Sequence, residues 1–198
     1  MFDNCFQVLD APHAPELVIR EMDKELIIYI ENKPYSNNYK DEVEGTAPFL
    51  ISPQEVDTNN DGTNDYTLTN EDKKQYSSYY FEGYQIFQVK NQSVSSADLH
   101  NPELARLVAQ CDVKNGVGKI VNFYYNSETN ANDAVLEVNG EDNGIRHSFR
   151  ITEDKFATGD KRLVNHKKVY FMAIAYAYNH SSYNEYDPFD PNKLNGQT

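Results

Sequence analysis

Residues 168–179 read KVYFMAIAYAYN, the longest apolar run in the chain. Tyr170, Met172, Ile174, Tyr176 and Tyr178 recur at period two on one side, and Phe171, Ala173, Ala175 and Ala177 on the other. Large residues on one face and small ones on the other suit a central strand covered on both faces. An alanine-rich run of this length also suits a buried helix. The aromatic content, bounded by polar segments, favours the strand. Tyr170 and Ile174 are expected to face the core, with the Tyr170 hydroxyl bonded to backbone in the preceding connection.

Shorter segments around this run read the same way. Residues 16–20 (ELVIR) and 24–30 (KELIIYI) are strand candidates separated by a polar, turn-like segment. Residues 81–89 (FEGYQIFQV) put Tyr84, Ile86 and Gln88 on one face and Gly83, Gln85, Phe87 and Val89 on the other. Further strands are expected over 119–125, 134–138 and 147–152, with Asn139-Gly140 and Asn143-Gly144 as turn signals. Asn101-Pro102-Glu103 has the form of a helix start, and Leu104, Leu107 and Val108 recur at helical spacing. One short helix is therefore expected over about 102–109. Residues 31–80 form a polar insertion, long for a compact domain and of a kind that is usually functional or tied down. Short strands, turn signals and little helix describe an all-β antiparallel sandwich with long insertions.

Composition limits the functional classes. The chain has 198 residues and a formal net charge of −13, so it lacks the clustered cations that nucleic acid or an anionic membrane requires. No run approaches the ~20 apolar residues of a membrane span. The opening MFDNCFQVLD does not read as a signal peptide. A mature piece of a secreted protein fits this, and so does a cytosolic protein. Cys5 and Cys111 have no CxxC or Cys/His zinc spacing; a disulfide and two buried thiols both remain open.

The sharpest local motif is DTNNDGTND, residues 57–65. Oxygen-bearing side chains stand at loop positions 1, 3, 5 and 9 (Asp57, Asn59, Asp61, Asp65), and Thr63 at position 7 offers its carbonyl. Gly62 permits the sharp turn. Calcium takes six to eight hard oxygen ligands, and alternate residues of a tight loop converge on one ion. The motif resembles the calcium loops of EF-hand, dockerin and thrombospondin type 3 repeats. It departs from the EF-hand at position 12, which is Leu68 rather than a bidentate Glu, and at position 8, which is Asn64. Glu55, Glu71 or Asp72 stand near enough in sequence to complete the shell. The plain alternative is a solvated Asn/Asp-Gly turn. Calcium is the ligand expected here.

His13, His100, His147, His166 and His180 show no metal-site spacing and read as surface or strand-edge residues. There is no nucleophile elbow and no phosphate-binding loop, and 116–119 (GVGK) reads as a hairpin turn. The carboxylates are numerous, but nothing in the sequence singles out a catalytic pair.

Four strands carry a resemblance to a family. ELVIR, KELIIYI, FEGYQIFQV and KKVYFMAIAYAYN resemble strands A, B, C and F of a fibronectin type III domain. Leu163 followed by Tyr170 is similar to that family's approach to its tyrosine corner. Pro12 and Pro15 resemble its entry. The family's strand-B tryptophan is absent, with Tyr29 in its place, and the Leu-to-Tyr spacing is one residue longer. Such domains run to about 100 residues, so roughly half of this chain would be insertion.

The resemblance implies a single fibronectin III-like domain over 1–198, a non-catalytic structural or adhesion module of a bacterial secreted or cell-surface protein. Its partners would be neighbouring domains of the same polypeptide, with a protein or glycan ligand. The residues after Asn179 include Pro188 and Pro191 and no alternating hydrophobes, so the chain is expected to stop before strand G. The rival readings are a carbohydrate-binding module using surface tyrosines, and a glycoside hydrolase built on two carboxylates.

Overall fold

Short apolar runs bounded by polar turns form strands, and every strand pair among the described residues is antiparallel. The computed structural model describes residues 11–41, 44–46, 55–56, 66–67, 78–179 and 189. Eleven strands lie among them: β1 (Glu16–Met22), β2 (Glu25–Glu31), β3 (Glu44–Thr46), β4 (Glu55–Val56), β5 (Tyr66–Thr67), β6 (Ser78–Val89), β7 (Ala105–Asp112), β8 (Lys119–Asn126), β9 (Ala131–Asn139), β10 (Ser148–Ile151) and β11 (Tyr170–Asn179). No described helix is long and apolar enough to cross a membrane.

Two sheets enclose the main core. One has the order β1-β2-β10. In the other, β6 pairs with β11 along one edge, while β3 and β7 take successive stretches of its opposite edge. The segment 31–80 therefore contributes an edge strand, β3, and its β4–β5 pair forms a separate small ribbon. Strand β6 begins at Ser78, three residues before the expected start.

The first sheet supplies Ile28, Ile30, Phe149 and Ile151 to the core, and the second supplies Phe81, Tyr84, Ile86, Cys111 and Ala173. Leu163 plugs the same core from the connection after β10. Full burial of an Ile or Phe side chain stabilises by about 1.5–3 kcal/mol. At the tip of the β1–β2 hairpin, Lys24 adopts a left-handed φ of 57°. Asn165 holds this turn from both sides, accepting from the Lys24 backbone N–H and donating to Asp23, each at 2.9 Å.

Strand β11 is covered on both faces, but the faces are exchanged relative to expectation. The small side meets the main core, with Ala173 buried and Phe171 and Ala175 packed beside it. Tyr170 and Met172 belong to a second cluster with Val89, Val94 and Ala105, and Ile174 is only half-buried. Close packing between the sheets leaves room for alanines, whereas the outer face has space for aromatic rings. The tyrosine that ties a strand to a distant loop is Tyr84 in β6. Its hydroxyl donates to Asp41 at 2.5 Å, and His147 Nε2 lies 3.0 Å from the other Asp41 oxygen. Burial first, then the Asp41 contact, pushes the Tyr84 pKa up.

The expected helix over 102–109 is a strand. Asn101 does cap one turn: its side chain accepts from Glu103 N–H at 3.0 Å, and its carbonyl accepts from Leu104 and Ala105. The chain then extends as β7 and pairs with β6 from Val89↔Ala105 to Gly83↔Asp112. The ladder overrides local helix preference, and Leu107 and Val108 part company: Leu107 is exposed, while Val108 packs on the main core. The helical element described is a single 3-10 turn at Ser96–Asp98, closed by Asp98 accepting from the backbone and hydroxyl of Ser95.

Candidate functional site

Asp57, Asn59, Asp61, Thr63 and Asp65, the expected calcium ligands, lie outside the described residues, as do Glu71 and Asp72. Among the described residues, no group of three or more His, Cys, Asp and Glu is arranged to hold a metal ion. Cys111 is a free, buried thiol whose pKa is raised by burial, and Cys5 lies outside the described residues. Residues 180–188 and 190–198, over which the chain is expected to lack strand G, lie outside them too.

A mixed polar and aromatic groove lies over the outer face of the β6–β7–β11 sheet. The β8–β9 hairpin crosses that face. Ile120, Val138 and Val117 pack there with Tyr178, and Tyr80 and Tyr176 pack alongside. Two glutamines stitch hairpin to sheet: Gln85 Nε2 donates to Gln110 Oε1 at 2.9 Å and to the Glu137 carbonyl at 3.3 Å, and Gln110 donates to the Asn139 carbonyl at 3.0 Å. The space left between hairpin, sheet and the 96–100 turn is about 740 Å³.

Glu137 is aimed into this space by a β-bulge. Ile120 pairs with Val138 and Val121 with Leu136, so Glu137 is the extra residue on β9. A bulge of this kind re-aims a side chain that a regular ladder would hold elsewhere. The Glu137 side chain is 15% exposed, and its Oε2 lies 3.5 Å from His100 Nδ1. Its Oε1 is buried and has no hydrogen-bond partner among the described residues. Tyr124 faces the same carboxylate; that contact first, then burial, raises the Tyr124 pKa. Glu137 and His100 are the only acidic or basic side chains among the described lining residues. Phe87, Phe123, Leu136 and Tyr176 supply apolar and aromatic wall.

A second polar cluster sits at the end of the sheet and is structural in character. Glu82, displaced by a bulge in β6, is 1% exposed and accepts from the Asn115 side chain at 2.7 Å. Asp112 accepts from the backbone of Asp142 at 2.9 Å, and Asp142 accepts from Asn115 and Gly116 N–H at 2.7 and 3.0 Å. A Cβ on Gly140 would lie 2.0 Å from Asp112 Oδ2, so only glycine fits there. Burial, opposed by the Asn115 bond and reinforced by the Asp112 and Asp142 charges, pushes the Glu82 carboxyl up to about 8. This cluster anchors the 112–118 and 139–146 loops to each other.

The groove residues were not marked in the sequence beyond one signal, a glutamate inside the apolar strand AVLEV. Comparison with known proteins adds no relative: no family model, curated protein or solved structure matches the chain.

Proposed function

We propose that this chain is a non-catalytic structural or adhesion module of a larger extracellular or cell-surface protein, built as a fibronectin III-like sandwich with a calcium-ordered insertion. The observation that carries the reading is how the resembling strands are shared between the sheets. The strands matched to A and B are the β1–β2 hairpin of one sheet, and those matched to C and F are the β6–β11 pair of the other. Immunoglobulin-type sandwiches divide A, B and E from C and F in the same way, and β10 lies beside β2 where strand E would be. A net charge of −13 suits a role at a cation-rich exterior. The partners are neighbouring domains of the same polypeptide together with an external ligand. Fold by itself does not assign function, so the test is location. Antibodies raised against the domain should label intact, unpermeabilised cells or the secreted fraction of the source organism. Labelling that requires permeabilisation would overturn the proposal.

A further inference from the structure

We infer that the groove between the β8–β9 hairpin and the outer face of the β6–β7–β11 sheet is a binding site for a neutral saccharide. This goes beyond the architectural role above and stands on the groove alone.

Three observations carry it. The first is the carboxylate. Glu137 is placed by a bulge, has His100 and the Tyr124 side chain beside its carboxylate, and keeps Oε1 buried without a hydrogen-bond partner among the described residues. A buried acceptor without a donor is costly, and native structures seldom keep one without a reason. A ligand hydroxyl is a donor of the right kind. Charge is the second. Glu137 is the single carboxylate of the described lining, whereas a cation such as calcium takes several hard oxygen ligands, so the groove is not furnished as a cation site. What surrounds the pair is uncharged and amphoteric: Asn122 and the Tyr124 hydroxyl each donate and accept, as polyol hydroxyls do. The third is the wall. Tyr124 is 49% exposed at the lip and Phe87 lies on the sheet below, which offers ring faces to the apolar side of a sugar. The volume, about 740 Å³, is that of a small-molecule site.

The experiment is titration calorimetry with neutral hexasaccharides of glucose, xylose, mannose and N-acetylglucosamine in both α and β linkages where they exist, and with tetralysine as a cationic comparison. At least one hexasaccharide should bind with a Kd of ~1 mM or tighter. Glu137→Gln and Tyr124→Ala should each weaken it by about tenfold or more, as expected when a bond to a charged acceptor or a stacking face is lost. Tyr125→Ala, exposed on the hairpin and outside the groove lining, should leave binding unchanged. Circular dichroism checks that each variant is folded, and Tyr124→Ala, at an exposed position, keeps the test open even where Glu137→Gln perturbs the bulge. The inference is overturned if no hexasaccharide binds, if binding survives both groove variants, or if tetralysine binds in preference.

Discussion

Gly83 and Tyr176 are cross-strand partners, and the tyrosine occupies the space that a side chain on the glycine would need. A Cβ at position 83 would lie 2.7 Å from the Tyr176 hydroxyl and 2.2 Å from the Cys111 carbonyl oxygen. The second neighbour is backbone of the paired strand β7, so it cannot simply turn aside. Gly83→Ala should therefore destabilise by about 1–3 kcal/mol, as overpacking does. Urea unfolding reads this as a lower midpoint, and an unchanged midpoint would mean that Tyr176 does not cover Gly83.

Glu82 sets a pH dependence. Its carboxyl is at about 8 in the folded chain against 4.5 for the free group. Between these values the folded chain holds a proton that the unfolded chain has released, so this group's contribution is full below about 4.5 and is lost as pH rises through about 8. The loss is at most about 1.4 kcal/mol per pH unit across that window. Glu82→Gln keeps the Asn115 contact and removes the titration. The stability difference between variant and wild type, measured by urea unfolding from pH 5 to 9 (on the order of four steps of one unit), should shift in favour of the variant as pH rises. A constant difference would show that Glu82 is ionised in the fold.

Tyr84 is fully buried and donates to Asp41, while Asn32 Nδ2 donates to the Tyr84 oxygen. Tyr84→Phe keeps the ring and removes the bond to the Asp41 carboxylate, leaving Asp41 with His147 and Asn32 with the Asn38 carbonyl. The expected cost is about 1–3 kcal/mol. Loss of order should appear first in the 32–41 loop, as faster amide exchange; exchange spread evenly over the molecule would argue against a tether.

Ile86 and Ile174 separate the two faces of the second sheet. Ile86 is 0% exposed in the main core, whereas Ile174 lines the groove. Ile86→Ala should cost about 2–5 kcal/mol through cavity formation. Ile174→Ala should cost roughly 1 kcal/mol, the ordinary range for a partly buried site. Reversal of that order in thermal melts would restore the face assignment expected from the sequence.

Calcium binding rests on the alternating oxygens of residues 57–65. Calorimetry should show binding at about 10⁻⁴–10⁻³ M, the range of extracellular modules, and Asp61→Ala should abolish it. No heat in the wild type would remove calcium from the proposal.

Several elements were legible from local pattern. Strands β6 and β11 follow from period-two alternation, and β1, β2, β8, β9 and β10 from short apolar segments between turn signals; the two faces of β6 above its bulge match the expected sets: Tyr84 and Ile86 in the main core, Phe87 and Val89 away from it. The all-β antiparallel class follows from the same signal, because alternation and turn residues act over a few positions. The helix over 102–109 failed for the complementary reason. Asn101 specifies one capped turn, but a seven-pair ladder with β6 decides what comes after it. The candidate groove was almost invisible, since AVLEV does not show which face Glu137 takes.

Local residue pattern sets which segments extend and where the chain turns. Strand pairing and packing set which face of β11 meets the core, that 105–112 is a strand, and that Glu137 meets His100 beside the β8–β9 hairpin. Bulges and register account for the difference. Each extra residue, at Glu82, Val108 and Glu137, reverses the side-chain parity that local alternation sets. Where that extra residue falls is chosen by the partner strand, which for Glu82 is β11, far along the chain.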